Sequence, residues 1–123
     1  MARHNELGKW GEDMAAGKLI ADGCAIVERN WRLGHYEIDI IATKDDVLIV
    51  AEVKTRSNAD EDPLEAVDRR KISHMVRAAE AFCNGCGWRG NLRFDLLTVC
   101  GTPEDYTLEH VPDAFYPPLK TYR

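Results

Sequence analysis

Two strand-like segments follow each other closely near the middle of the chain, at residues 36–43 and 48–54. Residues that pack well on a pleated surface dominate both segments, and charged residues recur at every second position, as is typical of strands. Because only four residues separate the segments, the pattern predicts a β-hairpin. We expect its turn to be centred between Asp45 and Asp46, although neither is the glycine that tight hairpins favour.

This register would gather four charged side chains on one face of the hairpin. Asp39 would face Glu52 and Glu37 would face Lys54, because side chains alternate along a strand. Two carboxylates beside an amine suggest a divalent-metal site for phosphodiester hydrolysis, since a cation held by carboxylates can activate water and neutralise a phosphate. Magnesium is commonly coordinated by only one or two protein carboxylates, with water as further ligands.

A second interpretation of these charges is a solvent-exposed sheet face, on which polar and apolar residues also alternate. Like charges placed opposite each other, as Asp39 and Glu52 would be, destabilise a sheet unless something neutralises them. The residues alone leave both interpretations open.

The remaining pattern predicts an α/β domain of helix, three strands, helix, and one or two strands. Apolar spacing and capping residues place the helices, and alternation places the strands. The predicted elements are a helix over 5–22 ended by Gly23, a strand over 25–31, a helix opening at Asp62, a strand over 91–100 and an edge strand over 106–111. The long helix between strands permits a parallel crossover. We expect one domain over residues 1–123, with an irregular tail over 112–123.

Glu12 is the unusual residue of the first predicted helix. On a helical wheel it lies at the edge of the apolar arc, among Ala15, Ala16 and Leu19, rather than on the polar side. A carboxylate there needs a partner, which could be a metal, a lysine or a backbone donor.

Composition limits the partners that the chain can be expected to bind. The 123 residues carry a formal net charge of -5, which is unusual for a domain that binds DNA on its own. We name four candidate phosphate contacts, each of which is also explained by an ordinary solvated surface: Arg56, Arg69, Arg70 and Lys71. No segment approaches the roughly 20 apolar residues of a membrane span, and no signal peptide is evident at the N-terminus. We therefore expect a cytoplasmic protein.

The four cysteines include a single C-x-x-C pair, Cys83 and Cys86. A structural zinc site normally needs a second closely spaced pair of ligand residues. We therefore expect free thiols in a reducing cytosol. A metal or redox site built on this pair is the alternative.

Taken together, Glu12, the segment Glu37-Ile38-Asp39 and the segment Glu52-Val53-Lys54-Thr55-Arg56 resemble the PD-(D/E)xK nuclease superfamily. The chain is more closely similar to the YraN family of bacterial endonuclease-like proteins, which is related to archaeal Holliday junction resolvases. Further segments that carry the resemblance are Gly8-x-x-Gly11-Glu12, Glu28-Arg29-Asn30-Trp31, the Ala66-Val67 helix with Lys71, and Arg93-Phe94-Asp95.

The resemblance implies a restriction endonuclease-like fold, with a central mixed β-sheet flanked by helices. It also implies that Asp39, Glu52 and Lys54 are the metal-binding and catalytic positions, with Glu12 as a helix carboxylate and the Val53 carbonyl in the metal shell. One departure is Tyr36, where relatives usually carry glycine. A second is the acidity of the chain, which exceeds that of the resolvases.

The function predicted from these features is a Mg²⁺- or Mn²⁺-dependent DNA endonuclease, with branched DNA as a candidate substrate. A homodimer is expected for a junction, because two symmetric cuts need two sites. The alternative is a catalytically silent module that keeps the fold and binds a protein or nucleic-acid partner.

Overall fold

The computed structural model of the chain describes residues 2–57 and 69–115, with side chains from residue 6 onward. The elements in chain order are helix α1 (Ala2–Ala21), strands β1 (Ala25–Leu33), β2 (Tyr36–Lys44) and β3 (Val47–Arg56), helix α2 (Arg69–Cys86), and strands β4 (Asn91–Thr102) and β5 (Asp105–Val111). The predicted helix opening at Asp62 and most of the predicted tail, residues 116–123, lie outside the described residues.

One five-stranded sheet forms the centre of the fold, with its strands in sequence order. All neighbouring strands are antiparallel except β3 and β4, which run parallel from Val47↔Asn91 to Arg56↔Cys100. The helix α2 makes the crossover between these two parallel strands, as a parallel connection requires. The predicted mixed α/β sheet is therefore confirmed.

The β2–β3 hairpin has the predicted register over its described ladder, from Lys44↔Val47 to Ile40↔Ala51. Its two-residue turn contains no glycine, and Asp45 takes the left-handed conformation instead, with φ of 55°. Aspartate tolerates this conformation because its short side chain can hydrogen-bond locally.

The two helices cover opposite faces of the sheet and create two apolar clusters. The cluster under α1 contains Ala15, Ala16, Leu19, Cys24, Ile40, Ala42, Ile49, Ala51 and Leu97. The cluster under α2 contains Ile38, Ile41, Leu48, Val50, Met75, Ala78, Ala79, Phe82, Phe94, Leu96 and Phe115. Neither described helix combines the length and apolarity needed to cross a bilayer.

A buried carboxylate, Asp95, joins β4 to β5 and to the segment that follows. Its side chain is 0% exposed and receives two hydrogen bonds from Arg93, both of 2.9 Å. It also bonds His110 Nε2 at 2.7 Å and accepts the Asp113 N–H at 3.0 Å. Arg93 and these other donors keep the Asp95 pKa below its ordinary value, although burial opposes them. A buried charge is tolerated when it is paired and hydrogen-bonded in this way.

Helix α1 approaches the sheet closely at Gly11. A Cβ atom built there would come within 2.0 Å of Thr55 Oγ1 and 2.8 Å of Thr55 Cβ, whereas one at Gly17 would meet nothing within 4 Å. The missing side chain at Gly11 therefore sets how closely α1 approaches the end of β3.

We predict opposite effects when these two glycines are replaced by alanine. Gly11→Ala should lower the free energy of unfolding by about 1–3 kcal/mol, because the helix must move away from Thr55. Gly17→Ala, the matched control, should raise it by roughly 0.5–1 kcal/mol through helix propensity. Urea unfolding of both variants measures the difference. Equal effects at the two positions would contradict the close approach at Gly11.

Candidate functional site

The candidate site lies where β2 and β3 cease to pair. Their ladder ends at Ile40↔Ala51, so Asp39 and Glu52 do not form the backbone pair that the sequence predicted. The Asp39 side chain instead accepts the N–H of Val53, at 2.9 Å from N to Oδ2. A side-chain carboxylate thus binds a strand N–H just beyond the last paired position of the ladder.

The Asp39 and Glu52 side chains nevertheless lie close enough for the charge of one to act on the other. Burial, followed by the charge of Glu52, raises the pKa of Asp39 to about 7, and the Val53 N–H only partly opposes this. The predicted meeting of these two acids is therefore present, but it is made by side chains at a diverging hairpin end.

Two ammonium groups approach the other acid, Glu52, whose residue is 6% exposed. Glu52 Oε2 lies 3.7 Å from Lys54 Nζ on its own strand and 3.2 Å from Lys71 Nζ on α2. These cations offset the cost of holding an ionised carboxylate away from water. The structure thus brings Lys54 beside the acids, as the sequence predicted, and adds Lys71 from the opposite helix.

Glu12 reaches the same region from α1, but its partners differ from those expected. Its Oε1 accepts hydrogen bonds from Arg29 Nε and Asn30 Nδ2, each of 2.9 Å. Arg29 also bonds Asp13 at 2.7 Å and is the main reason that the Asp13 pKa is lowered. The partner that the sequence required for Glu12 is therefore provided by an arginine and an amide from β1.

Asn30 lies opposite Asp39, between the paired positions Arg29↔Ile40 and Trp31↔Ile38. Its φ of 54° is in the left-handed region, which asparagine tolerates better than most residues. Neither Arg29 nor Asn30 was predicted from the sequence to belong to the site. A polar pair interrupting a strand next to an acid-bearing helix was the available signal.

A cleft of about 710 Å³ opens over this region on the α1 side. Its walls come from the first turns of α1, from β1, and from the ends of β2 and β3; six of the lining residues are Gly8, Glu12, Asn30, Asp39, Lys54 and Thr55. A Cβ at Gly8 would meet nothing within 4 Å, so this glycine borders open space. The cleft gives a ligand access to the Asp39 carboxylate and to the Lys54 side chain.

Glu37 does not belong to this cluster, which corrects the predicted pairing with Lys54. Its Oε2 lies 3.4 Å from Arg32 Nη2 at the exposed end of β1. The error arose because the register was extended past Ile40, where β2 has already separated from β3.

The four predicted phosphate contacts lie in different surroundings. Lys71 contacts Glu52, Arg70 lines a second groove on the α2 side, and Arg69 is exposed at the described start of α2. Arg56 is partly buried at the end of β3. Their predicted role in phosphate binding stays a prediction.

The side chains near the cleft determine whether a metal ion could bind there. Within residues 2–57 and 69–115, no three His, Cys, Asp or Glu side chains form a metal-ligand cluster. The described acids would offer a divalent ion two carboxylates, Asp39 and Glu52, with water completing the shell, and magnesium accepts such a set. The Val53 carbonyl points to the same side of β3 as its N–H, as strand geometry requires, and so faces Asp39.

The C-x-x-C pair lies at the end of α2, away from these acids. Cys83 is partly buried and Cys86 exposed, and all four cysteines are free thiols. Burial, followed by the neighbouring Cys86, raises the pKa of Cys83, which disfavours the reactive thiolate.

Comparison with known proteins adds a family relationship. Residues 11–99 match the family described as Uncharacterised protein family UPF0102. A UPF0102 protein of Bacteroides thetaiotaomicron is 48% identical over 97% of this chain and 99% of its own length. UPF0102 proteins of Parabacteroides distasonis and Flavobacterium johnsoniae are each 42% identical, over 98% and 94% of this chain and 100% and 98% of their own lengths.

The raised pKa of Asp39 predicts how stability depends on pH in chelator-containing buffer. Between the ordinary aspartate value of about 3.9 and about 7, the folded protein binds more protons at Asp39 than the unfolded chain. The free energy of unfolding should therefore fall as pH rises through this window, by up to about 1.4 kcal/mol per pH unit.

Asp39→Asn should remove this part of the slope, because an amide can donate to Glu52 and accept from Val53 without titrating. The variant should consequently be more stable than the parent chain at pH 8. Urea unfolding at half-unit pH steps measures the slope, and Glu37→Gln is the matched control at an exposed carboxylate. An unchanged slope in Asp39→Asn would contradict the raised pKa of Asp39.

Proposed function

The chain belongs to the UPF0102 family, and we propose that it is a metal-dependent nuclease that hydrolyses phosphodiester bonds in DNA. The observation that carries the proposal is the contact between Asp39 and Glu52 at the end of a hairpin, with Lys54 beside them. A raised carboxylate pKa next to a specific charged partner in a cleft is typical of functional sites. We expect the protein to act in the cytoplasm.

The two acids are the proposed ligands of Mg²⁺ or Mn²⁺, together with the Val53 carbonyl. When bound, such an ion would neutralise charge on the phosphate and lower the pKa of a coordinated water. Binding would also remove the unfavourable proximity of two carboxylates, because the cation would neutralise their charge.

Lys54 is the proposed contact to the attacking water or the phosphate. Its side chain is 31% exposed, compared with 8% for that of Glu52, and it lines the cleft. An ammonium in this position can orient a nucleophile and stabilise the charge that develops on the phosphoryl oxygens.

Glu12 and Arg29 have a positioning role in this proposal. Because the Glu12 carboxylate is held by Arg29 and Asn30, it fixes α1 and β1 around the cleft while adding negative charge near Asp39. The ion would therefore be attracted by three acids but held by two.

A second candidate function is a module that binds a partner without cleaving DNA. The contact of Lys71 with Glu52 favours this function, because the ammonium can neutralise the carboxylate charge that a metal would otherwise neutralise. A partner that co-purifies in fixed stoichiometry and still binds Glu52→Gln would support this function.

Cleavage of labelled linear duplex, flap and four-way junction DNA with Mg²⁺ or Mn²⁺ tests the nuclease proposal. Asp39→Asn, Glu52→Gln and Lys54→Ala should each lower the rate on the order of 100-fold or more, since several kcal/mol of transition-state stabilisation depend on these groups. Glu37→Gln should retain the parent rate, because this exposed carboxylate pairs with Arg32. Calorimetry with Mn²⁺ gives a second measurement, in which Asp39→Asn should abolish binding and Glu37→Gln should preserve it.

Absence of cleavage on all three substrates, with no metal binding by the parent protein, would refute the nuclease proposal. Cleavage that persists in Asp39→Asn would refute the assigned roles. Two symmetric cuts in a junction would further imply a dimer, which sedimentation with and without the junction can detect.

A further inference from the structure

A second groove lies on the α2 side of the sheet and contains none of the acids of the candidate site. It has a volume of about 760 Å³ and is formed between the β1–β2 turn and the first half of α2; its polar lining includes His35, Tyr36, Arg70, Ser73, His74 and Arg77. Within residues 2–57 and 69–115, no aspartate or glutamate lines it, and its fully charged side chains are two arginines. Such a lining attracts anions.

Contacts between its two walls define the shape of the groove. His74 Nε2 lies 3.2 Å from the backbone carbonyl of His35, and the ring of His74 meets that of Tyr36 edge-on, with 5.3 Å between ring centroids. The β1–β2 turn is thus held against α2. Gly34 takes φ of 61° in this turn, a conformation that glycine adopts at little cost.

Arg70 and Arg77 are spaced to contact an extended anion. Seven residues along a helix correspond to two turns, so both arginines lie on the same side of α2, about 10 Å apart along its axis. This is roughly the rise of three nucleotides in one strand of B-form DNA. Neither arginine forms an ion pair with a carboxylate in the described part of the chain, so both guanidinium groups can donate to a ligand.

The groove and the candidate site lie at the same end of the sheet. β1 and β3 end there and β2 begins there, and the first described turn of α2 reaches the same place through Lys71 and Glu52. Arg70 and Lys71 are neighbours in sequence, so one turn of α2 contributes to both. A polymer crossing this end of the sheet could contact the groove while one of its phosphates reaches the acids.

We propose that this groove binds the sugar-phosphate backbone of a nucleic acid, with Arg70 and Arg77 contacting phosphates beside the nucleotide that enters the candidate site. The proposal extends the proposed nuclease function by naming a substrate-binding surface. Guanidinium groups suit this role because their fork of N–H donors matches phosphate oxygens. Recognition through the backbone carries no sequence information, so affinity should not depend on base sequence.

Binding is best measured without cleavage, by fluorescence anisotropy of fluorescein-labelled duplex and single-stranded DNA in EDTA. Arg77→Ala should weaken binding roughly threefold to tenfold at low salt, and Arg70→Ala similarly. Each loss should also reduce the slope of log K against log[salt] by about 0.7–0.9, the contribution of one phosphate contact. Arg77→Glu should weaken binding further, because it adds repulsion.

Arg89 supplies the matched control. It is exposed and lies just before β4, which begins beside the β2–β3 turn at the other end of the sheet. Arg89→Ala and Arg89→Glu make the same changes in net charge and should alter neither affinity nor salt slope by more than the general change in charge. Thermal unfolding confirms that each exposed-site variant stays folded.

Three results would overturn the proposal, and the first two are equal effects of the Arg77 and Arg89 substitutions and no DNA binding by the parent protein. Displacement of DNA by inorganic phosphate, beyond the effect of chloride at equal ionic strength, would assign the groove to a small anion and also overturn it. Failure of the nuclease proposal is distinguishable. DNA binding that requires Arg70 and Arg77, in a protein that cleaves nothing with Mn²⁺, would leave the groove assignment standing and refute only the catalytic function.

Discussion

The candidate site depends on the point at which β2 stops pairing with β3. Beyond Ile40↔Ala51 the strands diverge, and the Val53 N–H donates to the Asp39 carboxylate. A buried N–H left without an acceptor would cost about 1–3 kcal/mol. The Asp39 carboxylate supplies the acceptor for this N–H and leaves a gap between β2 and β3. Because a side-chain carboxylate takes the place of a strand carbonyl as acceptor, Asp39 of β2 can reach Glu52 of β3.

The charges around this gap are balanced in separate groups. Glu12 is neutralised by Arg29, and Glu52 lies near two lysines. The Val53 N–H stabilises the ionised form of Asp39, but burial and the charge of Glu52 outweigh it and raise the Asp39 pKa. The buried Asp95 contrasts with it, because its partners lower its pKa. A carboxylate in a cleft whose ionised form is disfavoured, as that of Asp39 is, indicates a functional site rather than a contribution to fold stability.

Local patterns in the sequence predicted most of the fold because short-range chemistry determines it. The Asp45–Asp46 turn, the alternation of β4 and the helix-covered mixed sheet are all confirmed. The Glu37 prediction was wrong because alternation carries no information about where a ladder ends. The placement of Lys71 beside Glu52 could not be predicted either, since it depends on how α2 packs across the sheet rather than on spacing within the helix.

The net charge of -5 does not by itself exclude nucleic-acid binding. Electrostatic attraction depends on the local distribution of charge, because salt screens exposed charges beyond about 10 Å. Successive residues of a helix point about 100° apart, so Lys71 can face the sheet while Arg70 faces the second groove. Adjacent residues of this turn of α2 therefore contribute one cation to the acid cluster and one to the second groove.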